Sequence, residues 1–398
     1  MMGPVRGLRV LDAGTMIAGP LSATLLGDFG ADVIKIEQPG VGDPMRHWTP
    51  VKQDRSLWWK VIGRNKRLIT LNLSSAHGQE IFRRLVPTVD VIVENYRPGT
   101  FARWGLGYEA LSAVNPGLIL VHVSGYGQTG PYRHRGGYGT IAEAFSGVPS
   151  FTGFPDRPPT LPGFPMADSV AATFAAMATM CAVYERDRHE PRRGQEIDVS
   201  LYEPLFRLVE AQVIGFDQLG LVKQRRGNRM EEDSPRNTYR TKDGRWMAIS
   251  ASSQKTFERL VHAMGRDELA KDPRFTDNVR RVANADVLDE TIAAWFATRD
   301  AHEVIQLFDR ENVVAGLVYD IRDIFEDAHY AARGNIVDVP DDDFGRVRMQ
   351  GVVPRFLRTP GSVRWPGGRL GHDNDAVYKG ELGLTDGDMD GLRAEGVI

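Results

Sequence analysis

One cysteine, Cys181, stands in a chain of 398 residues. A lone thiol excludes an internal disulfide framework and fits a reducing compartment. Long apolar runs are missing as well: no stretch reads as the roughly 18 apolar residues of a membrane span. The start, Met1-Met-Gly-Pro-Val-Arg6, leads toward a short strand without the apolar segment of a secretion signal. No charge of one sign dominates. The 49 Lys and Arg against 52 Asp and Glu leave a net charge of -3, so nucleic acid and anionic membranes are not expected partners. The turn Ala13-Gly-Thr-Met-Ile-Ala-Gly-Pro20 is neither a clean G-x-G-x-x-G nor a P-loop. Its Gly14 and Gly19 read as tight-turn glycines at least as well as phosphate binders. No repeat or low-complexity segment stands out, and no metal site is expected.

What is present is an ordinary globular composition, 42% hydrophobic, long enough for one to three domains and expected to be cytoplasmic. Leu8–Asp12 and Asp32–Ile36 read as strands around a helix over Leu21–Phe29, a unit whose crossover implies parallel pairing. The alternation continues through a strand at Arg67–Leu73, a helix at Ala76–Leu85, and strands at Asp90–Glu94, Leu118–Val123 and Gln195–Val199. This is the pattern of a doubly wound α/β sheet, in which ligands bind beyond the carboxyl ends of the strands. A further helix is expected near 201–219. Composition then shifts through the basic Lys223-Gln-Arg-Arg-Gly-Asn-Arg229 and the acidic Glu231–Asp233, read as a crossing or a mobile loop. Beyond it, the strands Trp246–Ser250 and Val313–Val318 with three helices make a smaller α+β domain, followed by short strands and a Gly/Pro-rich tail.

Two features carry chemistry. Asn65-Lys66-Arg67, Asn95-Tyr96-Arg97 and Arg103 put cations, amides and an aromatic near strand ends. That set suits a nucleotide with phosphates, although each cation alone also reads as ordinary solvated charge. The second feature is Asp168, after Gly163-Phe-Pro-Met-Ala and before an apolar segment, Val170–Tyr184. Val170, Phe174, Met177, Cys181 and Tyr184 recur at steps of three and four, so the segment reads as a buried helix with Cys181 packed inside. Asp168 has two readings, an N-cap or a nucleophile held at a helix mouth. Local sequence alone favours the cap.

In order and spacing, Gly7-Leu-Arg-Val-Leu-Asp12, Gly30-Ala-Asp-Val-Ile-Lys-Ile-Glu37, Asn65-Lys-Arg67, Val93-Glu-Asn-Tyr-Arg-Pro-Gly99, Gly125-Tyr-Gly127, Asp168, Gly194-Gln195 and Asp323-Ile-Phe-Glu-Asp327 resemble the family III CoA-transferases. These comprise the CaiB/BaiF group with formyl-CoA, carnitine and bile-acid CoA-transferases and the related α-methylacyl-CoA racemase. The resemblance spans essentially the whole chain. It implies a Rossmann-like large domain built from both chain ends, a smaller α+β domain between them, and an interlocked homodimer. The expected boundaries are 1–200 for the first part of the large domain, 201–238 for a linker and crossing helix, 239–324 for the small domain and 325–398 for the return. Coenzyme A or its acyl thioester would be a substrate, with no permanently bound cofactor. Leu71, Leu73, Asn95, Tyr96, Arg97, Arg103 and Tyr138 are the implied CoA contacts.

The resemblance also puts Asp168 at the family's catalytic aspartate, which shifts the reading to nucleophile. Ile17 stands where formyl-CoA transferases carry glutamine, and no polyglycine lid follows residue 220, which argues against formyl-CoA and oxalate. Ile17, Glu143, Arg225, Arg226 and Arg229 are taken as substrate-side residues; for Glu143 a plain helix-surface acid is an equal reading. The arginines suit the second carboxylate of a dicarboxylic acid. Pro235-Arg-Asn-Thr-Tyr239 is shared with chains that resemble succinyl-CoA-dependent transferases. The expectation is transfer from succinyl-CoA to a C4–C5 acid such as malate, citramalate or mesaconate. A racemase is the alternative, but Tyr138 and Gly139 replace the histidine and aspartate of its motif. A catalytically silent CoA-binding protein is the third reading.

Overall fold

A computed structural model describes residues 3–209 and 211–398. The first two residues and Glu210, inside the helix expected over 201–219, lie outside the described residues. Contacts divide the chain into two compact units. The larger holds the described residues up to Val148, Pro162–Ile214 and His329–Ile398; the smaller holds Pro149–Leu161 and Gly215–Ala328. The boundaries differ from those read in the sequence: 215–238 belong to the smaller unit, which also keeps 325–328. Residues 201–214 join the larger unit instead of a linker. Residues 149–161 join the smaller, because Gly153 bridges to Gly227 and Arg225 donates to the carbonyls of Ser150 and Phe154.

The larger unit is built on six parallel strands: β1 (Arg9–Asp12), β2 (Asp32–Glu37), β3 (Lys66–Thr70), β4 (Val91–Glu94), β5 (Ile119–Ser124) and β6 (Glu196–Ser200). Their spatial order is β3-β2-β1-β4-β5-β6. That is the doubly wound order whose direction reverses between β1 and β4, where ligand crevices form. Side chains alternate between two covered faces. Leu11, Ile34, Ile92 and Leu120 meet Ile81, Phe82 and Leu85 of helix α2 (Ala76–Leu85) on one face. Val10, Val33, Val91 and Val121 meet α1 (Ala18–Asp28) and α4 (Met166–Arg188) on the other. Helix α3 (Gly139–Phe145) packs against α4.

Helix α4 overturns two expectations. Its 23 residues are long and apolar enough to cross a membrane by length and composition, so such a stretch does exist. Its buried face is also the other one. Ala167, Ala171, Ala172, Ala175 and Ala182 pack inward, while Met177 and Tyr184 are 55% and 63% exposed and Cys181 is exposed. Small residues let α4 lie close to α1, its main helical neighbour.

The tail is structured. Residues 362–378 cover the open edge of β3, a sensible device for an unpaired strand. The Trp365 indole N–H donates to the Lys66 carbonyl at 3.0 Å. The Asp373 and Asn374 side chains accept from the amides of Leu68 and Thr70 at 2.7 and 2.9 Å, and the Tyr378 hydroxyl donates to the Thr70 carbonyl at 2.6 Å. Beyond this edge, Asp386–Ala394 forms a helix with a capping box at Thr385 and Asp388.

The smaller unit holds an antiparallel sheet of β7 (Arg236–Arg240), β8 (Trp246–Ser250) and β9 (Ala315–Leu317) in the order β9-β8-β7. Helices Gln254–Ala263, Ala285–Phe296 and Ala301–Glu311 supply its core.

Candidate active site

The ends of β1 and β4 diverge at the switch point, and the sequence clasps them there. The Asn95 side chain accepts from the Thr15 amide and donates to the Thr15 carbonyl, both at 2.7 Å. The same loop is held from below. Asp12 accepts from the Gly14 amide at 3.1 Å, the Lys35 ammonium bonds the Gly14 carbonyl, and Asp43 accepts from the Met16 amide at 3.2 Å. So fixed, Met16 takes a left-handed φ of 65°, a conformation that non-glycine residues hold only when their surroundings impose it.

The floor beneath is a buried charge network. Lys66 donates to Asp12 and to the Pro20 carbonyl, each at 2.7 Å. Lys35 lies 3.2 Å from Asp43, and Glu37 takes Arg46 in a two-point pair at 2.6 and 2.7 Å. Burial pulls the Lys66 ammonium below its ordinary value despite Asp12. Burial works the same way on Lys35, but Asp12, Asp43 and Glu37 outweigh it and raise that group. This corrects the reading of Asn65-Lys66-Arg67 as a phosphate rim. Lys66 is buried on Asp12, Arg67 pairs with Asp32 and Glu381, and Asn65 donates to Asp28.

Above this floor lies a cavity of about 550 Å³ lined by the loop 15–18, Asn95, Tyr96, Arg97, Pro98, Val123–Gly125, Arg133, Arg135–Tyr138, Asp168 and Leu201, with Pro44 and Trp48. Tyr96 is fixed by Phe101, stacked at 5.7 Å, and by Trp104, edge-on at 5.0 Å. Its amide donates to Glu94 at 2.7 Å. Glu94 in turn pairs with the buried His122, whose other ring nitrogen lies 2.7 Å from Glu196. Burial opposes charge on His122, but the two carboxylates prevail and raise it above its ordinary value.

Asp168 is the third residue of α4. Pro165 is the N-cap and no side chain caps the helix, so the capping role is excluded. Its own first-turn amides are occupied: Ala167 donates to Glu143 at 3.3 Å and Ser169 to the Pro165 carbonyl at 3.0 Å. Gly139 lies directly over the carboxylate, where an added Cβ would fall 2.2 Å from Asp168 Oδ2. Burial and the neighbouring Glu143 push the Asp168 carboxyl from 3.8 up to about 6. Asp168 is thus a half-buried carboxylate that lines a cavity with three arginines.

The structure thus brings Asn95, Tyr96, Arg97, Tyr138 and Asp168 together and separates other expected residues from them. Ile17 lines the cavity, but its side chain is 4% exposed and packs with Met45, Trp59 and Ile62. Leu71 and Leu73 are sealed in the core, leaving only their backbone for a ligand. Arg103 does not line the cavity and donates to Thr100 at 2.9 Å. Glu143 is 3% exposed, which rules out a surface acid and a direct substrate contact. Arg225, Arg226 and Arg229 line a separate cavity of about 470 Å³ within the smaller unit. Arg229 is held there by Asp286 and Asp289, each at 2.5 Å, so it is no free carboxylate clamp, and Arg226 pairs with Glu231 at 3.2 Å. Sequence reasoning missed Trp48, Arg133 and Arg135. The run Tyr132-Arg-His-Arg135 after the β5 loop was the signal for the two arginines, with Arg135 lying 3.7 Å over the Tyr132 ring.

The chain is similar to known proteins over nearly its whole length. A succinyl-CoA–D-citramalate CoA-transferase of Chloroflexus aurantiacus is 45% identical over 99% of this chain and 98% of its own length. The beta subunit of a succinyl-CoA–L-malate CoA-transferase from the same organism is 41% identical, again over 99% of this chain and 98% of its own. A CAIB/BAIF family protein of Brucella suis has a crystal structure that superposes with a TM-score of 0.85 at 30% identity, covering 96% of this chain and all of its own. The model of CoA-transferase family III matches residues 5–374. With a parallel sheet of this order and a carboxylate at its switch-point cavity, the chain is an enzyme that belongs to CoA-transferase family III.

Proposed function

We propose that this enzyme moves CoA from succinyl-CoA to a short dicarboxylic acid of the malate, citramalate or mesaconate class, with Asp168 as nucleophile. The carrying observation is the Asp168 carboxylate under Gly139, facing a cavity that also holds Arg97, Arg133 and Arg135. The printed activities of the relatives support the donor and the acid class. Asp168 Oδ attacks the thioester carbonyl; the C–S bond breaks and CoA leaves as thiolate. The thiolate then attacks Asp168 Cγ, breaking the anhydride C–O bond and releasing the donor carboxylate. An aspartyl-CoA thioester remains. The acceptor carboxylate attacks it and the steps run in reverse. No proton is gained or lost overall.

A carboxylate is a feeble nucleophile, so alignment supplies much of the rate, up to about 7–11 kcal/mol for reactants held in place. We assign oxyanion stabilisation to amides of the Gly136–Thr140 turn, since helix α3 has no side-chain cap. The arginines of the cavity are assigned to the phosphates and carboxylates of the substrates. Exposed apolar side chains on α4 and on Phe206 and Leu208 support an interlocked pair of chains.

The test is a panel of C4 and C5 acids with succinyl-CoA, read as new thioesters by mass, for the parent and Asp168→Ala. Activity confined to long-chain or steroid acids defeats the dicarboxylate proposal. An Asp168→Ala variant as fast as the parent defeats the nucleophile. Deuterium entering the α-carbon from heavy water without acyl exchange turns the reading to racemisation.

A further inference from the structure

We infer that Glu143 is a positioning residue that drives Asp168 toward its covalent forms, its buried carboxylate opposing the free Asp168 carboxylate and being relieved once Asp168 is acylated. This rests on Asp168 being the nucleophile. The geometry is specific. Glu143 projects from the middle of α3 and is 3% exposed. Its Oε1 lies 3.3 Å from the amide of Ala167, the residue before Asp168. Among the described residues no cation pairs with it, so nothing neutralises its field at short range. The first residue of the same helix, Gly139, presses on Asp168 Oδ2, so α3 fixes both the position of the nucleophile and a like charge behind it.

The surroundings do not cancel the effect. The other charged or titratable groups on the Asp168 cavity are Tyr96 and Arg97 from the β4 end, and Arg133, Arg135 and Tyr138 from the loop before α3. The loop 15–18 and the β5 end contribute none, and Asp168 is the only charged residue in the first turn of α4. None of the arginines is hydrogen-bonded to Asp168 among the described residues. These arginines lie on the substrate side, whereas Glu143 lies beneath, out of reach of solvent.

The consequence is a linkage. Protonation and acylation each convert Asp168 from an anion to a neutral group. A like charge nearby therefore favours both by the same factor. Burial and Glu143 both favour the protonated form of Asp168. The share due to Glu143 must reappear in the equilibrium between free enzyme plus acyl-CoA and aspartyl-CoA plus free acid. Two measurements that look unrelated are then tied together. A fall of one unit in the acid limb of the rate profile accompanies a tenfold fall in the adduct equilibrium constant.

The experiment compares the parent with Glu143→Gln, which keeps an oxygen for the Ala167 amide and removes the charge. Each is mixed with succinyl-CoA and succinate at fixed ratio, quenched, and scored for the CoA adduct by intact mass and peptide mapping. The pH profile of kcat/KM for succinyl-CoA is recorded alongside. The expected result for Glu143→Gln is an acid limb lower by roughly one pH unit and about tenfold less adduct at equilibrium. Glu143→Met, of similar volume and no charge, is the second variant should the first fail to fold, with the same expectation. An adduct on Asp168 that forms to the same extent in parent and variants, with an unmoved limb, overturns the role of Glu143 and leaves the nucleophile standing. No adduct on Asp168 in the parent overturns both.

Discussion

Replacing Asp168 by asparagine should make the protein more stable while stopping turnover. Burial and Glu143 push the carboxyl from 3.8 up to about 6. The folded chain then holds this proton more tightly than the unfolded chain does. Stability must fall as pH rises between about 4 and about 6 and stay low above that range. The rise of about two pH units corresponds to about 3 kcal/mol at full ionisation. Asparagine keeps the shape and cannot ionise. Burying its amide returns part of the gain, leaving a net stabilisation of about 1–2 kcal/mol. Thermal melting of parent and Asp168→Asn, each at about pH 4.5 and about pH 8, reads the difference, a few degrees in Tm at the higher pH. Comparing the two proteins removes the titrating groups that do not feel the Asp168 charge, leaving Asp168 and its neighbour Glu143. A gap that is the same at both pH values, or a parent more stable than the variant at the higher one, would refute the reasoning.

Three further outcomes follow from contacts described above. Gly139→Ala drives a methyl into the Asp168 carboxylate and must push it aside; kcat should fall by about 10²-fold, measured by steady-state assay, with a melting curve reading the smaller loss of stability. His122→Gln removes a cation clasped by Glu94 and Glu196. A base raised above its ordinary 6.5 stabilises fully below that value and loses the effect as pH rises through its folded value. Denaturation of this variant should therefore show its largest deficit near pH 6 and a shrinking one toward pH 9. Lys66→Met leaves Asp12 buried without its closest cation and should cost about 3–5 kcal/mol in a denaturant titration.

The strands were legible because a covered parallel sheet writes apolar runs between turns, and the order of loops located the rim. Helix α4 was legible in position but not in orientation. Hydrophobicity pointed to Phe174, Met177 and Tyr184, whereas the neighbouring helix admits only the alanines. Size, not polarity, decided that face. The charges of Asn65-Lys66-Arg67 were misread for another reason. Whether Lys66 is a rim cation or a buried one depends on Asp12, 54 residues away, and no local pattern carries that pairing. Glu143 was assigned to the substrate because its burial arises from the packing of α3 on α4. The helix at Asp386–Ala394 was missed although Thr385 and Asp388 spelled its capping box.

The cover on the β3 edge has a consequence for synthesis. Strand β3 receives Trp365 and Tyr378 from some 299 and 308 residues further along. At about 5–20 residues per second, that edge stays open on the ribosome for about 15–60 s. The first two hundred residues thus leave the exit tunnel with most of their sheet and an unguarded border. The continuous stretch Gly215–Ala328 can complete its own core in the interval. Chaperone demand should therefore fall on the first half of the chain, and slower translation after residue 200 would lengthen the exposure that residues 362–378 end.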